Sequence, residues 1–417
     1  MKDLLEVCCG LDVHRDMVVA CLLKGDTDKE PVSEVREFST LLCGLEELQQ
    51  WLSQEGCIHI AMESTGVYWY MVYNVLEAGF EGREIHLTVT NPRHMKNVPG
   101  KKTDTNDAQW IAALLRAGLL QPSYVPPRDI RELRDLTRYR RHMVQEASAQ
   151  KNRIEKFLQQ CGFKLSTFIT DICGASGMAI IKQLCEKGEI EPDEVMGLLH
   201  GTVRTKIKDI KLAINGRMSA HQMDFLKMLV RWYEDCREHI REVERKMAVC
   251  AEKYREAIDL ACTIPGIQEI SAITIISEIG VNLEMFPSAG HFCSWAGICP
   301  GNNESAGKRK STKILKGNNY LKNVLCQCAW GSARSRKSYL HDWFWKLKQR
   351  RGAKKAIVAV AHKLLSFIYH ILTSREPFDE ERHYAVKAQR DKIRRQKIIA
   401  EARKMGLEFA FCQYKEK

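Results

Sequence analysis

The chain has no paired CxxC knuckles. Its 16 cysteines are scattered, and the closest neighbours, Cys8-Cys9 and Cys326-Gln327-Cys328, do not have zinc-site spacing. Irregular positions in a chain of 417 residues also argue against a disulfide framework. A reducing cytosol is expected, with the cysteines serving as small core residues. No apolar run stands out as long enough to cross a bilayer, and no signal peptide is read at the start, where Met1-Lys2-Asp3 leads straight into a strand-like pattern. These absences set aside secreted, disulfide-stapled and membrane-embedded classes. What is present is charge of one sign. Lys and Arg number 64 against 52 Asp and Glu, a net charge of +12 and a pI near 8.9. That excess favours a polyanion partner, nucleic acid first and an anionic membrane surface second. With 45% hydrophobic residues, the chain can bury cores for two or three domains.

The first 120 residues alternate strand and helix patterns. Glu6 to His14 reads as a strand, Met17 to Leu23 as its returning partner and Val35 to Phe38 as a third. Leu42, Leu45, Leu48 and Leu52 mark a helix, Ile58 to Glu63 a buried strand, Tyr68 to Ala78 a helix and Ile85 to Val89 another strand. Hairpin strands followed by alternating helices and strands imply an α/β sheet of mixed direction, where sites form at converging strand ends. Asp12 and Glu63 each stand at such an end. The stretch Lys101 to Ala108 then opens a helix that Thr103 can cap, with Asp104 and Asp107 three residues apart on one face. An acidic helix start suits the helix dipole by itself. Four acids, two on strands and two on one helix face, also form the set that a two-metal phosphoryl-transfer site needs. There, hard carboxylates hold two Mg2+ (or Mn2+) ions about 3.5 to 4 Å apart.

Gly10-Leu11-Asp12, Glu63-Ser64-Thr65-Gly66, Asn91-Pro92 and Lys102-Thr103-Asp104-Thr105-Asn106-Asp107-Ala108 resemble the DEDD transposases of insertion sequences, the IS-one-ten/IS-one-sixteen family. The resemblance implies an RNase H-like, RuvC-like amino-terminal domain. It also implies that Asp12, Glu63, Asp104 and Asp107 bind metal and take part in catalysis.

Pro122, Pro126 and Pro127 mark a linker. Beyond it, residues 128 to 161 read as a basic helix. Leu226, Leu229, Tyr233, Cys236, Ile240, Val243, Met247, Cys250, Tyr254 and Ala257 then alternate steps of three and four, so a coiled coil is expected. Its partner could be the first helix, although Arg140 and Lys151 interrupt the matching register, or a second subunit. Residues 162 to 217 read as an insertion without an assigned job. Cys262 to Ile276 has the pattern of a helix-hairpin-helix, whose turn can aim N–H groups at a phosphate.

Residues 295 to 322 form a glycine-rich basic loop containing Ser305-Ala306-Gly307. A Walker phosphate loop is excluded, because Gly301 and Gly307 enclose five residues and Arg309 stands where Ser or Thr is required. On chemistry alone Ser305 is a loop polar residue more readily than a nucleophile, since serine needs a base or metal to activate it. The segment is, however, similar to the second conserved domain of the same transposases, whose serine is catalytic, and Ser305 falls at that position. Ala306 stands where several members carry glycine, and Gln268 replaces a glycine of the family's Pro-Gly-Ile-Gly turn. Lys102, Lys308, Arg309, Lys310, Lys313, Lys316, Arg334, Arg336 and Lys337 are expected to contact nucleic acid. Residues 330 to 363 interleave aromatics with Lys and Arg, which suits base stacking as well as a buried aromatic core.

The expected organisation is a RuvC-like domain over residues 1–122 and a helical coiled-coil region over 123–257. A mainly α transposase domain over 258–378 and a basic tail over 379–417 follow. The family likeness implies a DNA recombinase acting through a covalent phosphoserine, guided by a structured noncoding (bridge) RNA. It also implies homo-oligomers, a dimer and a synaptic tetramer, in a prokaryotic cytoplasm at the nucleoid, with no membrane partner. The rivals are an invertase of the same family, a RuvC-like nuclease that hydrolyses DNA, and a scaffold with a degenerate site.

Overall fold

A computed structural model of the chain describes residues 3–64, 66–80, 82, 84–92, 107–191, 193–300, 303–305, 308–311, 314, 317–336 and 338–404. The chain divides into two compact units, Met1–Val125 and Pro126–Lys417.

The first unit is built on a five-stranded sheet in the order β3-β2-β1-β4-β5. β1 (Val7–Val13), β2 (Met17–Lys24) and β3 (Val32–Ser39) form an antiparallel meander, and β4 (His59–Glu63) and β5 (His86–Thr90) add in parallel beyond β1. This is the mixed α/β sheet expected, and it is consistent with an RNase H-like domain. The central strand is buried on both sides, which explains its unbroken apolar run. Cys9, Leu11 and Val13 face α1 (Leu42–Gln54) and α2 (Trp69–Gly79), in one core with Leu45, Leu48, Val72 and Leu76. Cys8, Cys21 and Ala61 face the opposite way, against Ala108, Ile111, Ala112 and Leu115 of α3 (Asp107–Arg116). The outer strand β3 carries Glu34, Arg36 and Glu37, charges that discourage further pairing at the edge.

In the second unit α4 (Arg128–Gln160) runs antiparallel to a later helix of similar length, α7 (Ala220–Ala251). Asp129 bonds Lys253 and Tyr254 just past α7, Arg140 pairs with Glu244, and Phe157 meets Phe225 edge-on. A capping box at Ser219 and Gln222 starts α7. The apolar face of α7 thus packs against α4 inside the chain, an antiparallel helix pair that does not by itself establish the expected coiled coil. The seam is shorter than its pattern suggested, because α7 ends at Ala251, Cys250 is exposed, and Tyr254 lies on a following 3-10 turn. Arg140 and Lys151 do not spoil the pairing. Each reaches sideways to a carboxylate, Glu244 at 2.7 Å and Asp171 at 2.7 Å. Residues 162 to 217 close the far end of the hairpin. α5 (Ala175–Lys187), α6 (Ile207–Ala213) and short helical turns place Phe163, Ile172, Ile180, Leu184 and Ile210 in one core with Ile154, Leu158, Leu226 and Val230.

The remaining helices are α8 (Arg255–Cys262), α9 (Glu269–Ile279), α10 (Ala289–Trp295), α11 (Asn319–Arg334), α12 (Tyr339–Arg351), α13 (Ala353–Ser374) and α14 (Glu380–Lys404). One expectation needs correcting. By length and composition α13 is apolar enough to cross a bilayer, with a mean hydropathy of 1.6 over its best window. His362-Lys363 divides its apolar residues, so no unbroken run appears in the sequence. In the fold Val360, Ala361, Leu364, Leu365 and Ile368 are fully buried among α9, α10 and α11 residues such as Ile275, Phe292 and Leu325, as in a core helix.

Candidate active site

The acids of the first unit are placed by backbone approach. Side chains alternate along β1, so Cys8, Gly10 and Asp12 share the face that α3 covers. A β-carbon on Gly10 would lie 2.3 Å from both the Ala108 carbonyl oxygen and the Ala112 nitrogen. Only glycine lets helix and strand meet this closely. Ala108 follows Asp107, so the same contact brings the first turn of α3 to the end of β1. β4 lies parallel to β1 with Gly10 opposite Ala61 and Leu11 opposite Met62. Glu63 is therefore one step beyond, beside Asp12, and on the same face as Ala61. Asp12 and Glu63 thus lie at one end and on one face of the sheet, and the Gly10 contact brings the first turn of α3, which carries Asp107, towards that end. Asp12 is 17% exposed and its Oδ2 lies 3.0 Å from Nε2 of His14, a partner not singled out in the sequence although it stands just past the end of β1.

Asp104 and Lys102 lie outside the described residues. Among the described residues, no three His, Cys, Asp or Glu side chains stand close enough together to hold a metal ion. Carboxylates are the donors a hard divalent cation prefers: Asp12 and Glu63 are two such groups at adjoining strand ends, and Asp107 is a third in the first turn of a helix.

In the second unit Ser305 ends β6 (Asn303–Ser305), which pairs antiparallel with β7 (Lys308–Ser311), Ser305 opposite Lys308 and Glu304 opposite Arg309. Lys310 continues β7. A bridge between Pro300 and Ile314 closes the hairpin behind them. Lys313, Lys316 and Lys337 lie outside the described residues. Arg334 ends α11 and Arg336 follows it, both exposed. The aromatic and basic run of residues 330 to 363 is part buried and part exposed. Leu340 and Phe344 are buried, whereas Trp330 and Trp345 are 42% and 44% exposed, with Lys348 Nζ 4.0 Å from the Trp345 ring centre. The Pro265-Gly266 turn is held against α11. Ser332 Oγ donates to the Pro265 carbonyl at 2.5 Å, and a β-carbon on Gly266 would lie 2.4 Å from that Oγ. Packing on α11 accounts for that glycine.

Sequence reading passed over Glu278, which is fully buried. It lies near the end of an apolar helix, and its arginine partners stand some 140 positions upstream, a distance no local pattern spans.

Two family models match the chain. The first, DEDD_Tnp_IS110, described as "Transposase", covers residues 9–163. The second, Transposase_20, described as "Transposase IS116/IS110/IS902 family", covers residues 258–344. The transposase for insertion sequence element IS1111A of Coxiella burnetii is 27% identical over 334 residues, 78% of this chain and 79% of that protein. The putative transposase y4qE of Sinorhizobium fredii is 24% identical over 337 residues, 72% of this chain and 75% of that protein. A pilin gene-inverting protein of Moraxella bovis is 27% identical over 137 residues, 32% of this chain and 42% of that protein. The two matched segments contain, in order, the acid-bearing sheet and the serine hairpin. The chain belongs to the IS116/IS110/IS902 family of transposases.

Proposed function

We propose that this transposase cleaves and exchanges DNA strands through a covalent phosphoserine. Ser305 is the nucleophile, and Asp12, Glu63, Asp104 and Asp107 form a metal-binding carboxylate set. The observation that supports the reading is the close approach of α3 to β1 at Gly10 and Ala108, with Asp12 and Glu63 at the adjoining strand ends and Asp107 in the first turn of the helix. Those four acids would hold Mg2+ or Mn2+, which supplies Lewis-acid neutralisation of the phosphate and favours the alkoxide form of an attacking hydroxyl. In the first step the Ser305 oxygen attacks phosphorus. The Oγ–P bond forms, the ester bond to one deoxyribose oxygen breaks, and that oxygen leaves as a hydroxyl while the serine proton passes to solvent. In the second, a deoxyribose hydroxyl of the exchanged strand attacks the same phosphorus and releases Ser305. Each step trades one ester for another, so exchange needs no ATP. The substrate is DNA. Lys102, Lys308, Arg309, Lys310, Lys313, Lys316, Arg334, Arg336 and Lys337 would neutralise its phosphates or those of a guide RNA. We assign sequence choice to base pairing with a structured noncoding RNA. We also propose that the protein acts as a homo-oligomer at the nucleoid.

The test is denaturing electrophoresis of the wild type and Ser305→Ala with labelled DNA, guide RNA and Mg2+. A protein–DNA adduct that forms only with Ser305 supports the mechanism. Metal-dependent cleavage retained in Ser305→Ala would instead establish a hydrolytic nuclease. The pilin gene-inverting relative favours a second reading, inversion between fixed sites in one genome. Inverted rather than mobilised DNA in a two-site plasmid assay distinguishes it.

A further inference from the structure

The carboxylate of Glu278, near the end of α9, has no exposed surface. Arg138 of α4 grips both its oxygens, Nε to Oε1 at 2.8 Å and Nη2 to Oε2 at 2.9 Å. Arg134, one turn earlier, donates to the main-chain carbonyls of Ser277 and Glu278, both at 2.9 Å. Those bonds tie α4 to α9. A further bond ties in something else: Asn318 Nδ2 donates to Glu278 Oε2 at 2.6 Å.

Asn318 is the residue at which the serine hairpin ends and α11 begins. Its Oδ1 accepts from the Tyr320 and Leu321 N–H groups, at 2.9 and 3.1 Å, and so caps the helix. Just before it, Gly317 is pressed against the other stem of the hairpin. A β-carbon there would lie 2.4 Å from the Ala296 carbonyl oxygen and 2.6 Å from Gly297 Cα. With the Pro300–Ile314 bridge, both arms of the hairpin leave the helices at one spot, and the side chain at that spot is held by a buried carboxylate. Burying a charge is costly, and a well-packed apolar pair often serves stability as well. Fixing a direction is what such a charged, geometrically exact bond does better.

We propose that Glu278 is a positioning residue for the serine hairpin: through Asn318 it fixes the base of the 300–316 segment to the α4–α9 core and so sets where Ser305 is presented. This rests on the reading of Ser305 as nucleophile.

The test uses the full-length protein. Asn318→Asp keeps the helix cap, because aspartate caps as well as asparagine, but sets an acceptor oxygen where the donor to Glu278 stood. Adding Glu278→Gln to it removes the repulsion between the two carboxylates and returns a donor towards the side chain at position 318, at the cost of the Arg138 Nη2 bond to that same Oε2 position. Amide exchange of residues 300–316, the melting temperature, DNA affinity and the rate of serine-adduct formation are followed in parallel. For Asn318→Asp the expected result is exchange faster by on the order of tenfold in that segment. The adduct rate should fall roughly 10- to 100-fold, the size of effect that an ångström-scale misplacement has. DNA affinity should stay within about twofold, since no phosphate-contacting group is changed. The double variant should recover only part of both losses. Should Asn318→Asp fail to fold, Asn318→Ser keeps a capping oxygen, adds no charge and should show the same exchange. Wild-type exchange and adduct rates in a folded single variant would overturn the proposal. Absence of a Ser305-dependent adduct in the wild type would sink the serine chemistry instead, and amide exchange alone would then decide the anchoring.

Discussion

Gly10→Ala isolates the contact that would assemble the acid half of the proposed site. The added β-carbon would sit 2.3 Å from the Ala108 oxygen and from the Ala112 nitrogen, and 2.9 Å from Ala112 Cα. All three are backbone atoms, so no side chain can turn aside. Restoring ordinary separations requires α3 to retreat from β1 by about 1 Å. That loosens the small core of Cys8, Ala61, Ala108, Ile111, Ala112 and Leu115, at a cost of about 1–3 kcal/mol, the usual range for overpacking. For a unit of this size that is a fall in melting temperature of roughly 4–12 °C. Asp107, in the first turn of α3, moves with the helix while Asp12 stays on the strand. A displacement of about 1 Å between catalytic groups costs on the order of 100-fold in rate, and the Mg2+ concentration needed for half-maximal activity should rise. Calorimetry measures the first effect, and a Mg2+ titration of adduct formation the second. A variant that melts lower but forms the adduct at the wild-type rate and Mg2+ requirement refutes the claim that this contact places Asp107. A variant unchanged in both refutes the close approach itself.

Arg116→Met should cost about 3 kcal/mol in urea unfolding, because the buried guanidinium pairs with Asp3 at 2.6 Å and donates to the Glu6, Gly25 and Asp26 carbonyls; a loss under about 1 kcal/mol would show those groups find other partners. Thiol reagents at pH 9 should label the exposed Cys43 and Cys250 while sparing Cys8, Cys9 and Cys57. Burial pushes the Cys8 and Cys57 thiols up to about 12, against the pull of Arg116 on Cys8, so at that pH about one in a thousand is thiolate; native-state labelling of Cys8 by peptide mass mapping would contradict this. Glu244→Arg should destabilise the hairpin by about 1 kcal/mol through its clash with Arg140, and Arg140→Glu added to it should restore the loss, since the pair is only partly exposed. Leu226→Ala should cost about 2–4 kcal/mol with a melting temperature independent of protein concentration, because Leu226 is buried inside the chain; a concentration-dependent transition would point to a seam between subunits.

The sheet was legible because its strands are short apolar runs ending in turn residues, and the helices of the first unit because their leucines recur at helical spacing. The mixed strand directions followed from the same pattern. The seam of α7 was legible only as a period. Its partner was not, because Arg140 and Lys151 look like core charges until Glu244 and Asp171 are seen beside them. The closing segment, residues 162 to 217, was opaque for another reason. Ile172, Ile180, Leu184 and Ile210 sit on separate short elements, so no single window carries a period.

The site shows the same division. Asp12, Glu63 and Asp107 could be picked out as candidates because carboxylates at the ends of apolar elements are distinctive, whereas Ser305 was reached only through the family resemblance. The residues that aim these groups could not be picked out, because aiming depends on a distant partner. Gly10 acts against Ala108, Gly317 against Ala296, and Glu278 against Arg138 and Asn318. In both units a glycine pressed on backbone stands close to the point that must be placed, two residues before Asp12 in one and at the foot of the serine hairpin in the other. A β-carbon at Gly317 therefore tests the serine half as Gly10→Ala tests the acid half. Its 2.4 Å approach to the Ala296 oxygen leaves the hairpin stems no room to close, so Gly317→Ala should reproduce the exchange and adduct defects of Asn318→Asp. If it does not, the hairpin is placed by something other than its stem.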